Sequence, residues 1–95
     1  SKITEFVLLT GYTHTTQNSY KEINFPSGFN VNNTVIVSAM TYIHNNWRPS
    51  NYGSNYDSFD HYYVQVVMVS SGIRIYSIGV DTPNAPYRIM IAKIT

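Results

Sequence analysis

The stretch YYVQVVMVSSGIRIYSI, from Tyr62 to Ile78, decides the fold. Two runs rich in β-branched and aromatic residues, Tyr62–Val69 and Ile73–Ile78, are separated by the turn signal SSG. Residues of this kind favour strands, and so short a link favours an antiparallel hairpin. The sequence therefore predicts two neighbouring antiparallel strands here.

Similar runs recur along the whole chain. No segment has the i, i+3, i+4, i+7 apolar spacing of a helix, whereas alternating or fully apolar runs of strand length are separated by glycine, proline and asparagine turn signals. Further strands are predicted at Ile3–Leu9, Tyr20–Phe25, Val35–Ile43 and Tyr87–Ile94. Together with the hairpin they predict a six-stranded antiparallel β-sandwich.

Length and composition indicate one small domain spanning residues 1–95. The chain has 95 residues and no cysteine, so disulfides and thiolate metal sites are excluded. A domain of this size buries only about 60–65% of its unfolded surface, so oligomerisation is one remaining source of stability. The N-terminal sequence SKITEFVLL does not have the form of a signal peptide. We expect the domain to be a fragment of a longer chain.

The charges are few and dispersed. Six Lys or Arg residues face five Asp or Glu residues, which gives a net charge of +1. A nucleic-acid-binding surface needs clustered Lys and Arg, and a membrane span needs about 20 consecutive apolar residues. The sequence has neither, so it predicts no nucleic-acid partner and no membrane insertion.

Several predicted strands are apolar on both faces. In the last one, Ile89 and Ile91 alternate with Met90 and Ala92. An antiparallel sheet with one solvated face has polar residues on that face, so a second apolar face implies a cover. We expect the second face of Tyr87–Ile94 or of Tyr62–Val69 to lie against another subunit. The alternative is that these are central strands covered by the long loops of the same chain.

The sequence contains little evidence of a catalytic or metal-binding site. Asp57 and Asp60 lie three residues apart beside His61, but paired carboxylates that cleave glycosidic bonds need a defined separation and a cleft. No GxSxG motif accompanies the serines. The loop oxygens do not follow the spacing of an EF-hand, and the three histidines are dispersed along the chain. The sequence predicts a protein that is not an enzyme and has no metal and no cofactor.

The stretch HNNWRPSNYGSNYDSFDHYY, residues 44–63, is too polar for a core and too aromatic for a linker, with six aromatic residues in twenty. Binding loops favour this composition, because aromatic rings give contact area at low entropy cost and short polar residues give adaptable hydrogen bonds. Saccharides present apolar C–H faces and hydroxyl edges, which suit such a surface. The candidate ligand-binding residues are Trp47, Arg48, Tyr52, Tyr56 and Asp57.

Three phrases carry a resemblance to a known group of proteins. INFPSGFNVNNTVIVSAM is followed at a distance by SGIRIYS and by a terminal YRIMIAKI. This order resembles the C-terminal domain of tail-fibre, baseplate and receptor-binding proteins of phages of Gram-positive bacteria, over Tyr20–Ile94. The resemblance implies a homotrimer on the virion that acts outside the cell and attaches to a saccharide of the host surface.

The order of elements is more distantly similar to the H-type lectin domain, a six-stranded sandwich that forms trimers with sugar sites near the subunit boundaries. No sugar-binding residue of that domain is carried over to this chain. Two other functions stay open: a structural module that trimerises or caps a virion fibre, and a cellular lectin of H type.

The phrase FPSGF also has a plain structural interpretation. Pro26 presets a turn and Gly28 can adopt a positive φ. Phe25 and Phe29 can then close one end of the sandwich. We therefore expect this phrase to shape the fold and not to contact a ligand.

Overall fold

The computed structural model describes residues 1–51 and 59–95. Within them the chain forms seven strands and one helical turn. The elements are β1 (Ile3–Tyr12), β2 (Ser19–Asn24), β3 (Thr34–Ile43), β4 (Asn46–Pro49), α1 (Phe59–Tyr62), β5 (Val64–Val69), β6 (Gly72–Ser77) and β7 (Pro86–Ile94).

The strands form two antiparallel sheets. The four-stranded sheet has the order β1-β7-β3-β4, and the three-stranded sheet has the order β2-β6-β5. The predicted hairpin is confirmed as β5 paired with β6, from Val64 opposite Ser77 to Val69 opposite Gly72. The all-β prediction is also confirmed, because each of the six predicted strands is present.

The prediction of six strands missed β4. This strand pairs with β3 through a tight turn at His44 and Asn45, whose φ angles are 50° and 64°. Two successive positive φ values define the type I′ turn of a two-residue hairpin. Such a turn usually contains a glycine, which makes it recognisable in a sequence. Tyr62, placed in a strand by the sequence, ends the helical turn α1 instead.

The core lies between the two sheets. Ile89 and Ile91 of β7 and Ile73 and Ile75 of β6 are each at most 1% exposed and belong to one apolar cluster. Side chains alternate along a strand, so each of these residues has a neighbour directed to the outer side. Burying one such side chain stabilises the fold by about 1.5–3 kcal/mol.

The FPSGF turn closes one end of the core as predicted. The amide of Phe29 donates to the carbonyl of Pro26 at 2.9 Å, and Gly28 has a φ of 87°. A positive φ at the third turn position favours glycine, as in a type II turn. Phe29 is buried in the core and Phe25 packs against it. The predicted turn and the packing of both phenylalanines on the core are confirmed.

Asn51 links the two sheets where β4 ends. Its amide donates to the carbonyl of Val64 at 2.8 Å, and its side chain bonds both the amide and the carbonyl of Val66, at 2.7 and 3.2 Å. Its φ of 66° is one that asparagine tolerates better than most residues. The side chain therefore completes hydrogen bonds along β5, the edge strand of the three-stranded sheet.

The two sheets differ in their outer faces, the faces turned away from the core. On the three-stranded sheet, Arg74 bonds Glu22 at 2.9 Å and lies over the ring of Tyr20. On the four-stranded sheet, Phe6 and Leu8 of β1 are 58% and 52% exposed. The four-stranded sheet therefore has the more apolar outer face.

Candidate functional site

The outer face of the four-stranded sheet divides into two halves along its strands. One half is apolar and carries Phe6, Leu8, Val35, Met90, Ala92 and Ile94, which are brought together by the pairing of β7 with β1 and β3. We call this set the apolar half. Val37, the extra residue of a β-bulge in β3, lies beside it and is 53% exposed. The expectation that β7 is apolar on both faces is confirmed.

The other half holds an open groove of about 310 Å³, which we call the outer groove. Its lining residues are Thr10, Gly11, Tyr12, Trp47, Pro86, Tyr87 and Arg88. This volume lies at the small end of the range for ligand sites, about 300–1,000 Å³. The groove has room for one or two small cyclic groups.

Strand pairing brings these residues together from distant parts of the sequence. Thr10 lies opposite Arg88, and Tyr12 lies opposite Pro86, in the β1–β7 pair. Trp47 lies opposite Tyr42 in the β3–β4 pair. Because β7 lies between β1 and β3 in the sheet, Arg88 stands between the two aromatic sides of the groove.

Trp47 and Arg88 form the central contact. The guanidinium carbon of Arg88 lies 3.9 Å from the centroid of the Trp47 ring. Trp47 also packs on Tyr42, with ring centroids 5.2 Å apart and planes tilted by 55°. A cation over an indole face is held by the ring quadrupole. Trp47 therefore positions Arg88, and Tyr12, which is 56% exposed, offers an aromatic ring across the groove.

Tyr87 and Gly11 form the floor of the outer groove. Tyr87 is 5% exposed, and this burial raises the pKa of its hydroxyl, which therefore stays neutral. A Cβ on Gly11, its partner in β1, would lie 2.6 Å from the Tyr87 hydroxyl oxygen. Glycine at this position leaves room for the Tyr87 ring to lie beneath β1.

A buried threonine fixes one end of the groove. The Thr13 hydroxyl donates to the carbonyl of Thr82 at 2.6 Å and accepts from the amide of Ala85 at 2.8 Å. The Thr13 amide also donates to the Ala85 carbonyl at 2.9 Å. Pro86 follows Ala85 and Tyr12 precedes Thr13, so the bonds between Thr13 and Ala85 hold Pro86 beside Tyr12.

The structure brings only Trp47 of the predicted site residues into the groove. Arg48 lies on the opposite face of β4, because it pairs with Thr41, which is 1% exposed. The Arg48 guanidinium lies over the Tyr62 ring at 4.0 Å, and its Nε donates to the Ile43 carbonyl at 2.9 Å. Trp47 and Arg48 therefore do not form one contact surface. The remaining predicted residues, Tyr52, Tyr56 and Asp57, lie outside the described residues.

A polar cluster lies near Arg48, apart from the outer groove. Asp81 Oδ2 lies 3.3 Å from Nε2 of His44 and 3.1 Å from Nδ1 of His61. The hydroxyl of Tyr62 lies 3.4 Å from Nδ1 of His44. The cluster ties the β3–β4 turn to α1 and to the β6–β7 connection. Across residues 1–51 and 59–95, no group of three His, Asp or Glu residues is arranged to hold a metal ion.

Sequence reasoning missed Thr10 and Arg88, and it did not place Tyr12 among the five candidate ligand-binding residues. A signal was present, since Arg88 and Lys93 are the only charged residues of the apolar strand β7 and Tyr12 ends an alternating run in β1. In the described part of the chain, no helix has the length and apolar character needed to cross a membrane.

Comparisons of the chain with protein-family models, with curated proteins and with solved structures found no match. The similarity to phage fibre domains and to H-type lectins stays a prediction from the sequence.

Proposed function

We propose that this chain is a non-catalytic binding domain that attaches to a saccharide through the outer groove. The observation that carries the proposal is the meeting of Trp47, Arg88 and Tyr12 around an open groove of about 310 Å³. An aromatic ring such as that of Tyr12 can cover the C–H face of a sugar. The hydroxyl of Thr10 and the N–H groups of Arg88 can bond the sugar hydroxyls at its edge.

The proposed setting is the tip of a tail fibre or receptor-binding protein of a phage that infects Gram-positive bacteria. There the domain acts outside the cell. This setting follows from the resemblance over Tyr20–Ile94, and the binding surface follows from the groove. A similarity to the H-type lectin fold belongs to the same proposal, with a cellular lectin as an alternative setting.

The apolar half supports association of several copies, and we propose a homotrimer. With a rise of about 3.4 Å per residue and a spacing of about 4.8 Å, the outer face of the three long strands covers roughly 450 Å², and the apolar half takes up about half of it. A specific interface usually buries about 800 Å² per partner. One such face is small for a stable dimer, whereas a ring in which each copy has two neighbours adds a second contact. Several weak sites presented together also gain avidity.

The apolar half also favours the second candidate function, a structural module that trimerises or caps a virion fibre. In that case the outer face would be covered within the fibre and the groove would take no ligand. A binding assay separates the two functions, whereas a measurement of oligomeric state does not.

The test is retention of the domain on purified Gram-positive cell walls and on a glycan array, with copies displayed on a tetrameric carrier to raise avidity. Tyr12→Ala and Trp47→Phe should weaken retention. Tyr20→Ala, which removes another exposed tyrosine from the opposite sheet, should leave retention unchanged. Aromatic anchors tend to dominate interface energetics, so the expected loss is at least tenfold.

Melting temperatures of the same variants show whether a loss of retention follows from unfolding. If the wild type binds no cell wall and no glycan, the saccharide proposal is wrong and the structural module gains support. If Tyr12→Ala binds like the wild type while Tyr52→Ala or Tyr56→Ala does not, the ligand is bound by the segment that the sequence predicted.

The proposed self-association has its own test. Leu8→Asp places a charge in the apolar half, and desolvating an unpaired charge costs several kcal/mol. Since Leu8 is 52% exposed in a single copy, the variant should stay folded and sediment as a monomer. A wild type that stays monomeric at millimolar concentration would rule out association through this face.

A further inference from the structure

Arg88 is the one charged side chain that the described residues place on the outer face of the four-stranded sheet. Among the four strands of this sheet the only acidic residue is Glu5, and it pairs with Lys93 at 3.3 Å. Lys93 also lies 5.1 Å from the ring of Phe29, on the core side. Arg48 lies on the inner side of β4, against Tyr62. The outer face therefore carries one positive charge, and the ammonium of Lys21 lies near the groove, where it donates to the Tyr12 carbonyl at 2.9 Å.

In the described part of the chain, Arg88 also lacks the carboxylate partner that Arg74 and Lys93 have. Arg74 bonds a carboxylate oxygen of Glu22 at 2.9 Å, and this bond lowers the pKa of Glu22. Within residues 1–51 and 59–95, Arg88 has no carboxylate partner. Its described contact is the ring of Trp47. A guanidinium has five N–H donors, and a ring face satisfies its charge in part while leaving most of those donors available.

The position of this charge matters because it lies in the outer groove. Trp47 restricts the guanidinium on one side, so less side-chain freedom is lost when a ligand binds. Tyr12 and Thr10 line the groove with it and carry no charge. A planar guanidinium matches the two oxygens of a carboxylate or of a phosphate with two parallel hydrogen bonds.

We propose that the outer groove selects saccharides that carry an anionic group, a carboxylate or a phosphate, and that Arg88 is the residue that recognises this group. The inference rests on the proposed saccharide-binding function and names the class of saccharide. In this arrangement Arg88 holds the anionic group, and Tyr12 and Thr10 contact the sugar that bears it. Hydrogen bonds to charged groups predict that an anionic saccharide binds about 10- to 100-fold more tightly than its neutral counterpart.

The test uses matched probes in calorimetric titrations of the full 95-residue chain. The first pair is a galacturonate tetramer and its methyl ester, which share their rings and differ in charge. The second pair is glucose 6-phosphate and glucose, which tests phosphate as the source of the negative charge. The wild type should prefer the charged member of at least one pair by tenfold or more, and added salt should reduce this preference.

The variants assign the preference to Arg88. Arg88→Gln should bring the charged and neutral members of a pair to equal affinity, and Arg88→Lys should keep part of the preference, since it keeps the charge and loses the fork. Lys2→Gln removes one positive charge next to the opposite end of β1 and should keep the full preference. Arg88 is exposed and its contact with Trp47 contributes little to stability at such a site, so its variants should melt only a few degrees below the wild type.

The outcomes separate this inference from the function on which it rests. Equal binding of charged and neutral saccharides by the wild type would overturn the inference and leave the saccharide proposal standing. An anionic preference that persists in Arg88→Gln would likewise overturn the role of Arg88. If neither these probes nor the cell walls and glycan array are bound, both proposals are wrong.

Discussion

Thr13 offers the most quantitative test of how the groove is held together. Replacing it by valine keeps the shape of the side chain and removes the hydroxyl. The Thr82 carbonyl and the Ala85 amide then lose the partners they have at 2.6 and 2.8 Å. Both residues are at most 5% exposed, so water cannot easily replace the hydroxyl. A buried polar group left unpaired costs about 1–3 kcal/mol, so the expected loss for the two groups is about 2–6 kcal/mol.

This loss is large for the domain. At roughly 0.05–0.15 kcal/mol per residue, a chain of 95 residues has an unfolding free energy of about 5–14 kcal/mol. With a urea slope of about 1–2 kcal/mol per molar, the unfolding midpoint of Thr13→Val should fall by about 1 M or more. Thr13→Ser keeps the hydroxyl and loses one methyl group, so it should cost only about 1 kcal/mol. A valine variant as stable as the serine variant would refute the reasoning.

Three further predictions concern other parts of the fold. Gly72→Ala places a Cβ against the carbonyl of Ile23 across the β2–β6 pair, so the melting temperature should fall by about 8 °C or more; an unchanged value would contradict this. The hydrogen bond from Arg74 lowers the pKa of Glu22 below its ordinary 4.5, so its stabilising effect is present above pH 4.5 and is lost as the pH falls through the lower value. Glu22→Gln should therefore show a weaker acid dependence of its urea midpoint than the wild type. Asn51→Ala should lower the unfolding free energy by about 1–3 kcal/mol, because it leaves β5 hydrogen bonds unmade, and an unchanged urea midpoint would count against that role.

Most of the strands could be predicted from the sequence because the signals are local. Alternation of apolar residues identifies β5 and β6, and the link between them fixes their pairing. The missed strand β4 has four residues and ends in proline, and its turn uses His44 and Asn45 in place of glycine. Nothing in so short a segment distinguishes a strand from a loop, and only its pairing with β3 defines it.

The site was harder to predict because it depends on strand order. Trp47 was identified because the segment around it is rich in aromatic and short polar residues. Side chains alternate along β4, however, so Arg48 lies on the inner face of the sheet. Tyr12 and Arg88 are 76 positions apart in the sequence and meet only because β1 and β7 are neighbours in the sheet. Periodicity indicates which residues share a face of one strand. It does not indicate which strands are adjacent.

The hydrogen bonds of Asn51 protect this domain against aggregation through an edge strand. An edge strand with free amides and carbonyls is a template on which a foreign strand can add, and such additions lead to aggregates. Here the Val64 carbonyl is already bonded to the Asn51 amide, and the amide and carbonyl of Val66 are bonded to the Asn51 side chain. A second chain would have to displace Asn51 before it could extend the three-stranded sheet at this edge. A single asparagine therefore protects this edge against aggregation by strand addition.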